Sequence, residues 1–292
     1  MMKKELEDYF GFVREGKIMG GEKNLKNLNN IVAKKSTEVI KSAKEISSED
    51  VIREVVKIPI VKVDREKFLR KELRRYYPKE VVDQAIMHNP AYVGIGRKCI
   101  NSIAKQVINY ETNKVAAISF AAGIPGGFAM AVTVPADIAQ YFGFMIRVMQ
   151  KLAYLYGFED FRLNEDEISD DTLNQMLVFF GVMFGVQGAN TAVKKIAEAA
   201  ANKVAKSLAR KALTKTAIYP LVKKIATKVG IQMTKEIFAE SVSKVIPVVG
   251  GVVSGGLSYI TFKPCSLKLM KSFKELPISD PEFYRKAKNE RY

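Results

Sequence analysis

Asp137 and Arg147 are the side chains of this sequence that best suit a polar active site. They lie ten positions apart in a stretch with few other charges. Asp137 follows Pro135 at a predicted helix start, where proline is tolerated and a carboxylate complements the helix dipole. That structural role is one interpretation of Asp137. The alternative is a functional carboxylate that faces Arg147 or a ligand, as in an enzyme acting on a lipid or another apolar substrate.

The other reactive side chains give catalysis little support. His88 is the only histidine and lies in a predicted turn, so sites built from several histidines are excluded. Cys99 lies beside Lys98, which would favour the thiolate, but no activating base accompanies it. Cys99 and Cys265 suit two free thiols in a reducing compartment, with a single disulfide as the alternative. We therefore assign no catalytic residue, expect no metal or cofactor, and favour a non-enzymatic function.

The formal net charge of +16 is unevenly distributed. Residues 1–80 carry 20 Lys/Arg against 14 Asp/Glu, whereas residues 194–228 carry 10 against one Glu. The second segment therefore predicts an anionic partner. Its apolar residues recur at helical spacing with lysines between them, a pattern typical of a helix on an anionic membrane surface. The candidate lipid-binding residues are Lys194, Lys195, Lys203, Lys206, Arg210, Lys211, Lys215, Lys223, Lys224 and Lys228.

Two other interpretations of this basic segment stay open. One is the solvated outer face of a core helix. The other is nucleic-acid binding, which we disfavour because no interleaved aromatic residues or recognised binding motif accompany the charge. The acidic link 159–171 lacks the spacing of a calcium loop, and Ser169 or Asp171 is expected to cap the following helix. We also hypothesise that this link pairs with the basic segment and masks it.

Three uncharged runs dominate the hydrophobic pattern, at residues 115–136, 172–193 and 245–262. Each contains a Gly-x-x-x-Gly pair, which lets helices approach closely, and a membrane span needs roughly 20 residues. The runs are open to three interpretations: constitutive spans, buried hairpins or conditional insertion. Proline and glycine within the first run favour a buried or re-entrant hairpin. These glycines lie within apolar helices and not after a strand, so they indicate no phosphate-binding loop.

Helical spacing prevails everywhere except in residues 57–63, so the sequence predicts an all-α fold. We expect a helical bundle built around two glycine-rich apolar hairpins, near residues 115–157 and 245–275. Residues 1–75 are predicted to form a charged helical N-terminal extension, and residues 76–292 the main domain.

Local signals place several elements within that plan. A helix is expected at residues 48–56 after Ser47, and an amphipathic helix from 138 to a stop at Gly157. The polar C-terminal tail is expected to fray. The N-terminus has lysines but no apolar signal region, so we expect a cytoplasmic protein.

Small-residue motifs in this chain resemble the signature of the EcsC family, over roughly residues 78–275. The residues that carry the resemblance are Gly123, Pro125, Gly126, Gly127, Pro135, Asp137, Gly157, Pro247, Gly250 and Gly251. The family takes its name from a bacterial gene beside an ABC transporter. The resemblance implies a helical, bacterial, membrane-associated protein and implies no catalytic residues.

The sequence thus predicts a non-enzymatic helical protein that is peripheral on anionic lipid at the cytoplasmic face of a membrane. One alternative is a regulatory module that docks on a membrane transporter or another helical protein. A further alternative is a membrane-disrupting effector.

Overall fold

The computed structural model describes residues 47–122, 136–163, 165, 167–206, 220–231 and 250–289. Within these ranges every regular element is helical and no strand occurs, which confirms the all-α prediction. The helices are α1 (Ser48–Val55), α2 (Arg65–Leu73), α3 (Lys79–Met87), α4 (Arg97–Ala122), α5 (Ala136–Leu155), α6 (Asp170–Phe184), α7 (Ala189–Lys206), α8 (220–231), α9 (Gly250–Phe273) and α10 (Pro281–Asn289).

The described part of the N-terminal extension belongs to the common core. Helix α1 begins as predicted, because the Ser47 side chain accepts a hydrogen bond from the Asp50 backbone N–H at 3.1 Å. The connector at 57–63 contains a short 3-10 turn, Pro59–Val61. The apolar residues of α1, this turn and α2 are buried in the same cluster as those of α4 to α10. The predicted boundary between residues 75 and 76 therefore does not separate two cores.

Helices α4, α5 and α9 form the centre of the bundle. Asn101 accepts a hydrogen bond from the Tyr156 hydroxyl at 2.7 Å, and Glu111 pairs with Lys151, so α4 and α5 are antiparallel. The Tyr141 hydroxyl lies 2.9 Å from that of Thr261, and further along the two helices the Tyr156 and Phe273 rings are 6.1 Å apart. Helix α9 therefore runs parallel to α5 and antiparallel to α4, along which it packs.

This arrangement confirms one predicted hairpin and corrects the other. The antiparallel pair α4 and α5 includes the described parts of residues 115–157. Residues 250–273, in contrast, form one continuous helix that passes through Pro264, so the predicted hairpin near 245–275 is wrong. The second uncharged run is also divided, because α6 ends at Phe184 and α7 begins at Ala189.

Glycines with positive φ end two of the helices. Gly157 has φ +99° and stops α5 as predicted; the Phe158 N–H donates to the Ala153 carbonyl at 2.9 Å. Gly185 has φ +73° and stops α6 in the same way, in a Schellman arrangement. Gly185 is therefore a helix stop and not half of a packing motif. Its predicted partner Gly181 does sit at a close helix contact, where an added Cβ would lie 2.6 Å from Ile225 of α8.

The C-terminal tail is packed, so the predicted fraying is wrong for the described residues up to 289. Tyr284 of α10 is 2% exposed, and Ile278 is fully buried. The Asn89 side-chain amide donates to the Tyr284 hydroxyl at 2.8 Å. Phe273 at the end of α9 packs against Phe179 of α6 with 4.8 Å between ring centroids. The tail therefore closes one side of the core.

None of the helices in the described ranges has both the length and the apolar character needed to cross a bilayer.

Candidate functional site

The structure separates the predicted pair of Asp137 and Arg147. Both residues belong to the continuous helix α5, where ten positions correspond to a rise of about 15 Å. That distance is too long for direct pairing, and the side chain of Asp137 lies outside the described part of the chain. Arg147 contacts a different carboxylate, Glu111 of α4. A catalytic pair of Asp137 and Arg147 therefore has no geometric basis.

Glu111 is the centre of a buried charged cluster. It has no exposed side-chain surface, and the Lys151 Nζ donates a hydrogen bond to its Oε1. The Arg147 Nε lies 3.4 Å from its Oε2, although neither atom makes a well-aligned hydrogen bond. The Arg147 Nη1 donates to the carbonyl of Ile60. Two formal positive charges thus converge on one carboxylate.

Aromatic rings cover the ammonium group of this cluster. The Lys151 Nζ lies 5.6 Å from the centroid of Phe68 and 5.7 Å from that of Tyr110, within the range of a cation–π interaction. Burial lowers the pKa of Lys151, and the attraction of the Glu111 carboxylate opposes that effect. A lysine with a lowered pKa is often functional, but ion-pair networks produce the same shift.

The Pro59–Val61 turn is hydrogen-bonded to α5 next to the charged cluster. The Gln150 side chain, fully buried, donates to the Val61 carbonyl at 2.8 Å and accepts from the Val63 N–H at 3.0 Å. Gly143 leaves room for Val61, whose Cγ2 would lie 2.9 Å from an added Cβ. Because Glu111 is wholly covered, a substrate cannot reach its carboxylate in this conformation. The cluster ties α4, α5 and the turn together.

The remaining reactive side chains occupy structural positions. His88 caps the end of α3 and its ring lies 4.4 Å from that of Tyr92. Cys99 and Cys265 are half-buried and are not joined by a disulfide, which agrees with the first of the two predicted states. Burial and a hydrogen bond with Cys99 raise the pKa of Tyr77. In the part of the chain that can be described, no group of metal-ligating side chains is close enough to hold an ion.

The described lysines of the basic segment are exposed on two helices, and we call these residues the lysine face. Its members are Lys194 and Lys195 of α7 and Lys223, Lys224 and Lys228 of α8, and all five are exposed. Lys203 and Lys206 continue α7, but their side chains lie outside the described part, as do Arg210, Lys211 and Lys215 altogether. Residues 189–202 and 220–231 contain these five lysines and one acidic residue, Glu198.

The apolar sides of α7 and α8 are covered by the protein. Val193 and Ala197 of α7 are fully buried, and so are Ile225 and Val229 of α8. The expectation that an apolar face of this segment enters a membrane is therefore wrong for the described residues. An exception lies at the end of α8, where Ile231 is 49% exposed.

The acidic link contacts α1. Arg53 of α1 pairs with Asp170 at 2.7 Å and donates to the Ile168 carbonyl at 3.1 Å. Ser169 caps α6 as predicted, accepting from the Thr172 N–H at 3.2 Å. Beside this contact, residues of α1 and of the link line an open cleft of about 390 Å³, which carries charges of both signs. Masking of the lysine face by this link stays a prediction.

The residues of the family resemblance are only partly described. Gly157 ends α5, Asp137 is the second residue of that helix, and Gly250 and Gly251 begin α9. Gly123, Pro125, Gly126, Gly127, Pro135 and Pro247 lie outside the described residues.

Comparisons of this chain with protein-family models, curated proteins and solved structures found no match.

Proposed function

We propose that this chain is a non-enzymatic protein that binds anionic lipid peripherally, at the cytoplasmic face of a membrane, through its lysine face. The observation that carries the proposal is the exposure of all five described lysines on helices whose apolar sides are buried. One side of each helix packs on the protein core, and the lysines lie on the exposed side. They therefore need no folding transition to face the lipid.

The expected attraction is electrostatic. Each lysine near an anionic surface contributes about 1 kcal/mol, so the lysine face supplies an attraction on the order of 5 kcal/mol. Salt shortens the range of this attraction, from about 10 Å at 0.1 M to about 3 Å at 1 M. Binding should therefore weaken steadily with ionic strength.

We further infer that the chain is related to EcsC proteins. The stop of α5 at Gly157 agrees with the helix end in the pattern that carries the resemblance, which supports this assignment.

Flotation with lipid vesicles tests the proposed function. The full chain is expected to float with vesicles that contain phosphatidylglycerol and to stay behind with pure phosphatidylcholine vesicles. The variant Lys194→Glu/Lys224→Glu/Lys228→Glu should lose at least about 100-fold in affinity, since the removal of three attractions gives about that factor and the added repulsions increase it. Circular dichroism should show an unchanged helical content, because these side chains are exposed.

A matched variant controls for net charge. Lys71→Glu/Lys98→Glu/Lys105→Glu makes the same change in charge at exposed lysines of α2 and α4. It should keep most of the affinity. Equal losses in both variants, or equal binding to neutral vesicles, would refute a localised lysine face.

A further inference from the structure

The short connection between α6 and α7, residues 185–188, is a meeting point of four helices, and we call it the α6–α7 turn. Gly185 ends α6 with φ +73°, and Gly188, with φ +86°, directly precedes α7. A Cβ added at Gly188 would lie 3.1 Å from the side chain of Leu221, so the start of α8 contacts this turn. A Cβ added at Gly185 would lie 3.7 Å from the Lys268 Nζ of α9.

Lys268 is a cation that the charge pattern along the sequence does not assign to the basic segment. It lies 40 positions beyond Lys228, the last member of the lysine face. Its side chain is exposed, as is that of Gln187 within the α6–α7 turn. The fold, and not the spacing along the chain, therefore brings Lys268 to the place where α7 and α8 begin.

Two members of the lysine face lie a short way along their helices from the same turn. Lys224 follows Leu221 by three positions, a rise of about 4.5 Å along α8. Lys194 follows Gly188 by six positions, a rise of about 9 Å along α7. The lysine face thus begins beside the turn that Lys268 contacts.

Acidic residues are absent from the parts of the chain that meet at this turn. No Asp or Glu occurs in the described residues 172–197, 220–231 and 250–274. Lysines elsewhere pair with an acid of their own helix, as Lys57 does with Glu54 at 2.7 Å. Within the described ranges Lys268 has no such ion pair. Its charge is therefore available to an anionic partner.

Resting on the proposed function, we infer that the membrane-contact surface extends from the lysine face across the α6–α7 turn to Lys268, which is a further lipid-binding residue. The partner is a layer of anionic headgroups, because exposed lysines on three helices attract lipid phosphates by charge. This contact buries no apolar surface and needs no opening of the core, since the side chains concerned are already exposed. The α6–α7 turn then lies at the level of the headgroups.

Reversing one charge tests the extension in a chain that keeps both cysteines. Lys268→Glu should weaken flotation with phosphatidylglycerol vesicles at least about fivefold, since one attraction is removed and a repulsion is added. The loss should shrink at higher salt, because the contact is electrostatic. Lys105→Glu makes the same change in charge at an exposed lysine of α4 and should affect binding much less. Circular dichroism should show an unchanged helical content for both variants.

Site-specific labelling tests the position of the turn. In a chain with Cys99→Ser and Cys265→Ser, a fluorophore is attached at Gln187→Cys in the turn or at Ser102→Cys of α4. Both positions are exposed, and neither substitution alters the charge. With phosphatidylglycerol vesicles that carry a nitroxide-labelled headgroup, the label at 187 should be quenched and the label at 102 should not.

The two experiments separate this inference from the proposed function. Lys268→Glu binding as tightly as Lys105→Glu, or equal quenching of the two labels, would overturn the extension and leave the proposed function standing. The charge reversal alone decides the matter if the labelled chains fail to fold. Absence of flotation of the unmodified chain with anionic vesicles would overturn the proposed function and the extension with it.

Discussion

The Lys151 ammonium group donates a hydrogen bond to the Glu111 carboxylate across 40 residues of sequence, and this pair joins α5 to α4 inside the core. Arg147 approaches the other carboxylate oxygen at 3.4 Å. The lysine side chain is 11% exposed and the carboxylate is fully buried. Burial has removed most of the water around both side chains. Removing either charge would therefore leave the other poorly compensated.

Neutralising the carboxylate should therefore destabilise the fold. Glu111→Gln removes the carboxylate that faces the buried Lys151 and the partly exposed Arg147, and we expect a loss of about 3–5 kcal/mol in the free energy of unfolding. Urea denaturation followed by circular dichroism measures this loss. Glu80→Gln on the exposed surface of α3 is the control and should change stability by less than about 0.5 kcal/mol. Similar midpoints for the two variants would refute a stabilising role for the cluster.

Alkaline pH should weaken the fold through Tyr284. Burial raises the pKa of Tyr284 to about 12, above its ordinary value of about 10. The folded state then holds a proton that the unfolded state has lost, so stability is full below pH 10 and falls between pH 10 and 12. A difference of two pH units between the pKa values of the folded and unfolded states corresponds to about 2–3 kcal/mol of stability. Urea titrations at several pH values should show that the free energy of unfolding falls less steeply with pH for Tyr284→Phe than for the unmodified chain.

The half-exposed Tyr76 supplies the control for this pH dependence. Tyr76→Phe makes the same substitution at an exposed site, so the difference between the two variants isolates the effect of burial at Tyr284. Identical slopes for Tyr284→Phe and the unmodified chain would show that another group sets the decline.

Gly157 should not tolerate a side chain. Its φ of +99° strains any residue with a Cβ, and that atom would lie 2.9 Å from the Ile278 carbonyl oxygen. We expect Gly157→Ala to cost about 2–3 kcal/mol of stability, measured by chemical denaturation. Gly96→Ala is a matched substitution at a site with open space and no positive φ. A loss at Gly157 no larger than that at Gly96 would contradict the described turn.

Ile231 should contribute to lipid binding beside the lysines. It lies three positions after Lys228 and seven after Lys224, on the same face of α8, and is 49% exposed. Burying its exposed half contributes about 1 kcal/mol, so Ile231→Ser should weaken vesicle binding roughly fivefold. Met87, 70% exposed at the end of α3, provides the control variant Met87→Ser. Equal effects of both substitutions in a flotation titration would argue against a local contact.

Local signals were sufficient to predict much of the fold. The serines at 47 and 169 and the glycine at 157 each act within a few residues of the chain, so capping rules identify them. The outward lysines of α7 and α8 follow from helical spacing, for the same reason. What spacing could not decide was whether the apolar sides of these helices face lipid or protein. That depends on α6, which covers part of α8 at Gly181.

The buried cluster could not be predicted because its partners meet through tertiary structure. Glu111 occupies a position on the apolar face of α4, between the buried residues Val107 and Val115. A carboxylate in that register is itself a signal of a buried ion pair. Its pairing with Lys151, however, requires the antiparallel alignment of two helices, and sequence spacing within one helix does not supply it. The packed tail was missed for the same reason, since Tyr284 meets a residue 195 positions away.

The bond between Asn89 and Tyr284 has a consequence for biosynthesis. Chains emerge from the ribosome with the N-terminal end first. The side chain of Asn89 is fully buried in the finished fold, yet the hydroxyl that accepts its amide N–H is translated 195 residues later. Until then, water must satisfy that amide. The turn before α4 can therefore gain this bond only after α10 has been synthesised.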